Sequence, residues 1–240
     1  EILGIPLGTA KTRLRRARQL LERELAGAEE SPELITRTLS GLDSWALRHQ
    51  ERGVTVFELD HPATQQWKAA RIRSRMGDLP PDLVLIPVDF ERESVTDVLP
   101  AGGYDPRATV FVSWLGTICY LSRSAIEETF ASLAAVCAPG SRIVFDYFEP
   151  KSMMSPADLA LFETLDEGGT RRGEPMQTLL EAEELAAILR SAGLHVVEDL
   201  SAVDIRERYL AQRADGLDVP GFARLCCAEK RATEESEGQI

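Results

Sequence analysis

The chain has 240 residues, of which 44% are hydrophobic and 28% charged, the balance of a folded globular protein large enough to bury its own core. No apolar run approaches the roughly 18–20 residues of a membrane-spanning helix, which excludes a spanning protein. The formal net charge is −12, and it is uneven: residues 1–25 hold six basic and three acidic side chains, so an acidic remainder of −15 argues against a broad nucleic-acid surface there.

The four cysteines, Cys119, Cys137, Cys226 and Cys227, form no C-x-x-C pair and read as reduced thiols of a cytoplasmic protein. His49, His61 and His195 are too scattered for a histidine metal site, so no metal is expected. The opening EILGIPLGTA does not read as a signal peptide. It starts on Glu1, and Glu1–Leu3 reads as the end of an interrupted element, so a longer protein is expected.

In chain order, Gly4 and Pro6 mark a turn, and Thr9 can cap a helix. Leu14, Ala17, Leu21 and Leu25 follow at helical spacing among Lys11, Arg13, Arg15, Arg16 and Arg18. This stretch resembles the turn and recognition helix of region four of RNA polymerase sigma factors. The resemblance implies DNA reading by Thr9, Lys11, Thr12 and Arg15. Without a packed partner helix such a segment does not hold a groove-reading pose, so DNA binding is not expected. Residues 26–32 (AGAEESP) read as a linker, residues 33–231 as an α/β domain, and residues 232–240 as a disordered tail.

From Glu33 on, strands are expected at Leu34–Leu39, Val54–Leu59, Leu83–Val88, Thr109–Trp114, Arg142–Tyr147, His195–Leu200 and Phe222–Ala228. Helices are expected at Ser44–His49, Pro62–Met76, Ser94–Leu99, Arg123–Ala138, Pro156–Leu165, Glu181–Ala192 and Asp204–Ala214. Apolar runs such as LVLIPV, TVFVSW and RIVFDYF are those of buried parallel strands covered by helices on both faces. A doubly wound sheet follows, with its ligand crevice at the carboxyl ends of the strands.

The residues at those ends carry the chemistry. Gly41 lets the backbone approach a ligand. Asp60 ends the second strand about 20 residues later, where an acid accepts from ribose hydroxyls; it reads equally as a helix cap before Pro62. Asp89 could face an adenine amino group and Phe90 a purine face. A dinucleotide G-x-G-x-x-G and a phosphate-binding P-loop are both missing, which favours the phosphate-free cofactor S-adenosyl-L-methionine. Tyr120 and Tyr147 read as core residues with a polar tip. No catalytic base is identified. The Asp166-Glu167 turn and the loop Arg171-Arg172-Gly173-Glu174 read as an acceptor border or as a solvated charged loop.

The phrases GLDSWALR, VTVFELDHPATQQWK, PVDFE, FVSWLGTICYL, PGSRIVFDY and RADGL resemble the leucine carboxyl methyltransferase-like family, in its bacterial S-adenosylmethionine-dependent branch. The resemblance runs from about Gly41 to Glu229. It implies a class I methyltransferase, Rossmann-like sheet of seven strands, mostly parallel with the last strand antiparallel. By position it implies cofactor contacts from Gly41 and Asp43 in the glycine motif, from Asp60 on the ribose, and from Asp89 and Phe90 on the adenine. Trp114 and Leu115 would border the methyl donor. The expected activity is O-methyl transfer to a carboxylate or hydroxyl of a small-molecule acceptor.

Two departures bear on that expectation. Leu39 stands where the family writes the first glycine of G-A-G-L-D-S, and the sigma-like helix stands in place of the family's helical N-terminus. An N-terminally truncated domain with reduced activity is therefore expected. The competing reading is a sigma-like DNA-binding regulator, or a fusion fragment with a degenerate methyltransferase body.

Overall fold

The computed structural model describes residues 55–171, 173, 175–214 and 217–232, the side chains of Arg75 and Met76 excepted. The expected strand Leu34–Leu39, the helix Ser44–His49 and everything assigned to residues 1–32 and 233–240 lie outside the described residues. The chain divides into two compact units, and all described residues up to Pro106 belong to the smaller.

The smaller unit is a β-α-β repeat followed by a helix: β1 (Val56–Asp60), α1 (Pro62–Met76), β2 (Leu83–Pro87) and α2 (Val95–Ala101). The two strands pair in parallel, with Val56 opposite Leu83 and Asp60 opposite Pro87. Local chemistry bounds α1 at both ends. Pro62 sits in the first turn, where its missing N–H is no loss, and Gly77 follows the last turn with φ +85°. Ile72 of α1 packs on Leu83, with Val56, Leu79 and Leu85 around them.

The larger unit contains β3 (Phe111–Trp114), a 3-10 turn (Ile118–Tyr120), α3 (Arg123–Val136) and β4 (Arg142–Phe148). A second 3-10 turn (Lys151–Met153), α4 (Pro156–Thr170), α5 (Ala182–Ser191) and β5 (Leu194–Leu200) follow. The unit ends with α6 (Ala202–Ile205), a π-helical turn (Arg206–Leu210) and β6 (Ala223–Lys230). The strand order is β3-β4-β6-β5. β3 and β4 are parallel, while β6 runs antiparallel to both β4 and β5. The last strand is thus inserted between its predecessors, and the other strands of this sheet share one direction.

β4 explains why its sequence is almost continuously apolar. Phe145 meets Phe130 of α3 edge-to-face at 4.9 Å, and Phe130 meets Trp114 at 5.1 Å. The alternate residue Val144 packs in a second cluster with Leu200, Ile205, Tyr209 and Leu225. Both faces of the strand are covered, so period-two alternation disappears.

Two expected elements need correction. The helix expected to stop at Leu165 runs to Thr170, so Asp166 and Glu167 are helical and form no turn. Gly168 and Gly169 are tolerated because Gly169 is buried and Asp166 Oδ1 accepts the Met176 N–H at 2.8 Å, tying the helix to the returning chain. The helix expected at Asp204–Ala214 begins two residues earlier, on the Ser201–Asp204 capping box, and passes into the π-helical turn.

Candidate functional site

In the smaller unit the parallel pairing brings the carboxyl ends of β1 and β2 side by side. The Val88 N–H donates to the Asp60 carbonyl at 2.9 Å, extending the ladder one residue past the strands. Asp60 is the last residue of β1, one beyond the expected strand end.

The helix cap is not Asp60 but His61, whose Nδ1 accepts the Ala63 N–H at 3.3 Å. Asp60 Oδ1 accepts the His61 N–H at 2.8 Å. Among the described residues no hydrogen bond reaches its Oδ2. Burial pushes the Asp60 carboxyl above its ordinary value, and the nearby Glu58 charge adds to this. The His61 N–H, Lys68 and the His61 side chain pull it back. This is a carboxylate anchored on one side, with a second oxygen able to accept from a ligand.

Asp89 and Phe90 follow β2 and are half-buried. The Asp89 carboxylate shapes its own turn: Oδ1 accepts the Glu91 N–H at 3.1 Å, and Oδ2 lies 3.7 Å from Arg92 Nε. The Asp89 N–H donates to Glu93 Oε2 at 2.9 Å. Asp60, Asp89 and Phe90 are therefore gathered at one strand-pair end, as their sequence positions suggested.

Trp114 and Leu115 belong to the larger unit and are buried. Trp114 lies against Phe130, and Leu115 joins the cluster around Val144 and Leu200. The turn they enter is fixed by Asp146 of β4, whose Oδ1 accepts the Gly116 N–H at 2.6 Å; Gly116 has φ +70°, which suits glycine. Gly41 and Asp43 lie outside the described residues, as do Thr9, Lys11, Thr12 and Arg15. Arg171 pairs with Glu167 one turn back at 3.4 Å, and both are well exposed. Arg172 and Glu174 are not among the described residues.

Two polar clusters had no role in the sequence reading. The first lies beside Asp60. Lys68 of α1 is 8% exposed and forms an ion pair with Glu58 of β1. Gln65 of the same helix is 4% exposed, and its Nε2 donates to the carbonyls of Glu58 (2.5 Å) and Ile86 (3.3 Å), joining both strands. The strand's period of two gave a hint, since it puts Glu58 on the face of Asp60.

The second cluster crosses three strands of the larger unit. Tyr147 OH donates to Asp199 Oδ2 at 2.8 Å, and Arg224 reaches both Asp199 (3.1 Å) and Glu149 (2.9 Å). Tyr147 is a core ring with a bonded polar tip. Burial, followed by the bond to Asp199 and its charge, raises the phenol far above its ordinary range.

Among the described residues no group of three His, Cys, Asp or Glu side chains could hold a metal ion. No helix among them is long and apolar enough to cross a membrane.

Comparison with known proteins adds three findings. Residues 39–134 match the family described as leucine carboxyl methyltransferase. A Bacillus subtilis (strain 168) protein named "Putative S-adenosyl-L-methionine-dependent methyltransferase YktD" is 33% identical over 182 residues, which are 75% of this chain and 60% of that protein. A Mycobacterium tuberculosis (strain ATCC 25618 / H37Rv) protein given the same description is 34% identical over 137 residues, 56% of this chain and 44% of that one. The chain thus spans 60% or less of the length of these relatives. These similarities lend no support to the sigma-factor likeness of residues 1–25. In structure, the pyocyanin biosynthetic protein PhzM aligns with TM-score 0.51 at 14% identity, over 90% of this chain and 55% of that one. The fold is the Rossmann-like class I methyltransferase fold, with the inserted antiparallel last strand described above.

Proposed function

We propose that this chain binds S-adenosyl-L-methionine and transfers its methyl group to an oxygen nucleophile, a carboxylate or hydroxyl of a small-molecule acceptor. The observation that carries the reading is Asp60. A half-buried carboxylate at a strand's carboxyl end, held through Oδ1 and with Oδ2 unbonded among the described residues, suits the two vicinal hydroxyls of a ribose. The names of the Bacillus and Mycobacterium relatives support the same donor.

The bound donor supplies a methyl group activated by its positively charged sulfur. The protein's part is to orient it and exclude water. Asp60 would take the ribose, Asp89 and Phe90 the adenine, and Gly41 with Asp43, in the glycine motif, the remainder of the donor. The sequence resemblance alone assigns Trp114 and Leu115, of the larger unit, to the methyl end of the donor. A carboxylate acceptor is ionised at neutral pH and needs placement alone, whereas a hydroxyl needs a general base. We assign no residue to that base. The donor domain is taken as residues 33–231, with residues 26–32 as its linker.

The test is calorimetric titration of the full chain with S-adenosyl-L-methionine, followed by detection of S-adenosylhomocysteine when carboxylate and hydroxyl acceptors are offered separately. Saturable binding lost in Asp60→Ala supports the donor site. Product with hydroxyl acceptors but none with carboxylates would require a base, and binding unaffected by Asp60→Ala would remove Asp60 from the site.

A further inference from the structure

Glu58 and Asp60 lie two residues apart on β1 and so share one face of the strand. So placed, the Glu58 charge disfavours ionisation of the Asp60 carboxyl. The helix that covers this face brings Lys68, an amphipathic cation that is seldom buried without cause. Its ammonium is paired with Glu58, and both side chains are largely withdrawn from solvent, at 10% and 16% exposed. Gln65, one turn earlier on α1, fixes the helix to both strands, so the lysine is delivered from a rigid position.

We propose that Lys68 is a positioning residue for the ribose carboxylate: paired with Glu58, it offsets the second negative charge on that strand face and favours the ionised form of Asp60. The inference rests on the reading of Asp60 as a donor contact. Other charged groups near this end have different engagements. His61 caps α1 and its side chain also lowers the Asp60 carboxyl, from the strand end, while Arg71, one turn beyond Lys68, lies over the Trp67 ring. β2 itself (LVLIP) carries no ionisable side chain, and beyond it Asp89 is engaged with Arg92 and Glu93. Lys68 is the cation whose charge opposes the carboxyl shift of Asp60 from the covering helix.

The experiment is calorimetric titration of the full-length chain with S-adenosyl-L-methionine from neutral to mildly acidic pH. The parent chain should lose affinity on acidification with a midpoint above the ordinary aspartate value. Lys68→Met should move that midpoint up by about half a pH unit or more, and Glu58→Gln should move it down. The double variant, which removes both charges, should return close to the parent. Uniform weakening by the single variants with an unmoved midpoint would make Lys68 merely structural and overturn the proposal. If Lys68→Met does not fold, the Glu58→Gln midpoint decides in the same way. A parent chain that fails to bind at any pH sinks the donor reading and this inference together, whereas parent binding with fixed midpoints sinks the inference alone.

Discussion

Asp60 combines two demands that oppose each other. Its carboxyl is raised from the ordinary value of 3.8 mainly by burial, so the folded chain holds that proton more tightly than the unfolded chain does. The stability this contributes is fully present below the unfolded value and is lost as pH rises through the folded one. At neutral pH the ionised carboxylate therefore weakens the ligand-free fold. Asp60→Asn keeps an oxygen for the His61 N–H and removes the charge. Ligand-free Asp60→Asn should melt higher than the parent at neutral pH, with the gap closing on acidification, as read by thermal unfolding across pH. A variant destabilised equally at every pH would contradict this. The same position should matter for the ligand: Asp60→Ala should weaken S-adenosyl-L-methionine binding by about 1.5–3 kcal/mol, roughly 10- to 150-fold, in calorimetry.

At the scale of elements, long side-chain bonds fasten segments that local hydrogen bonding does not. Asp158, in the first turn of α4, accepts the Gly221 N–H at 2.9 Å and the Ser155 hydroxyl at 2.7 Å. A Cβ at Gly221 would stand 2.5 Å from Asp158 Oδ2, closer than contact allows. Gly221→Ala should therefore expel the carboxylate and destabilise the larger unit by about 1–3 kcal/mol. Adding Asp158→Ala should cost little more, since the shared interaction is already lost. Urea unfolding of the two single variants and the double tests this, and strict additivity would refute it. The Arg224 cluster ties β4, β5 and β6 in a comparable way. Arg224→Met strands Asp199 and Glu149, each 17% exposed, and should destabilise by about 3 kcal/mol. Tyr147→Phe removes one neutral donor and should cost about 1 kcal/mol in the same assay.

At the scale of the whole molecule, charge sets the expected partners. A chain of net charge −12 repels a polyanion at long range, and the basic side chains of residues 1–25 are too few to reverse that. Binding to duplex DNA should be weak, steeply salt-dependent and indifferent to sequence. Anisotropy titrations against random and promoter-like duplexes test this at physiological salt, where submicromolar binding with a sequence preference would restore the regulator reading.

The sequence by itself determined what depends on short-range chemistry. Helix α1 follows its expected bounds at both ends because Pro62 and Gly77 impose backbone geometry without outside help. β4 declares itself as a run of apolar residues, and Asp60 as the acid that closes a strand before a helix-starting Pro. What joins residues far apart is not written in local spacing. Nothing near Asp158 names Gly221, 63 residues on, and nothing near Glu149 names Arg224, 75 residues on. The continuation of α4 past Leu165 depends on burial of Gly169 and on the bond from Met176 to Asp166. Only the packing of α1 onto β1 buries Lys68 against Glu58. The physical reason is the same in each case. Backbone propensity is decided within a few residues, whereas desolvation and charge pairing are decided by which surfaces the fold brings into contact.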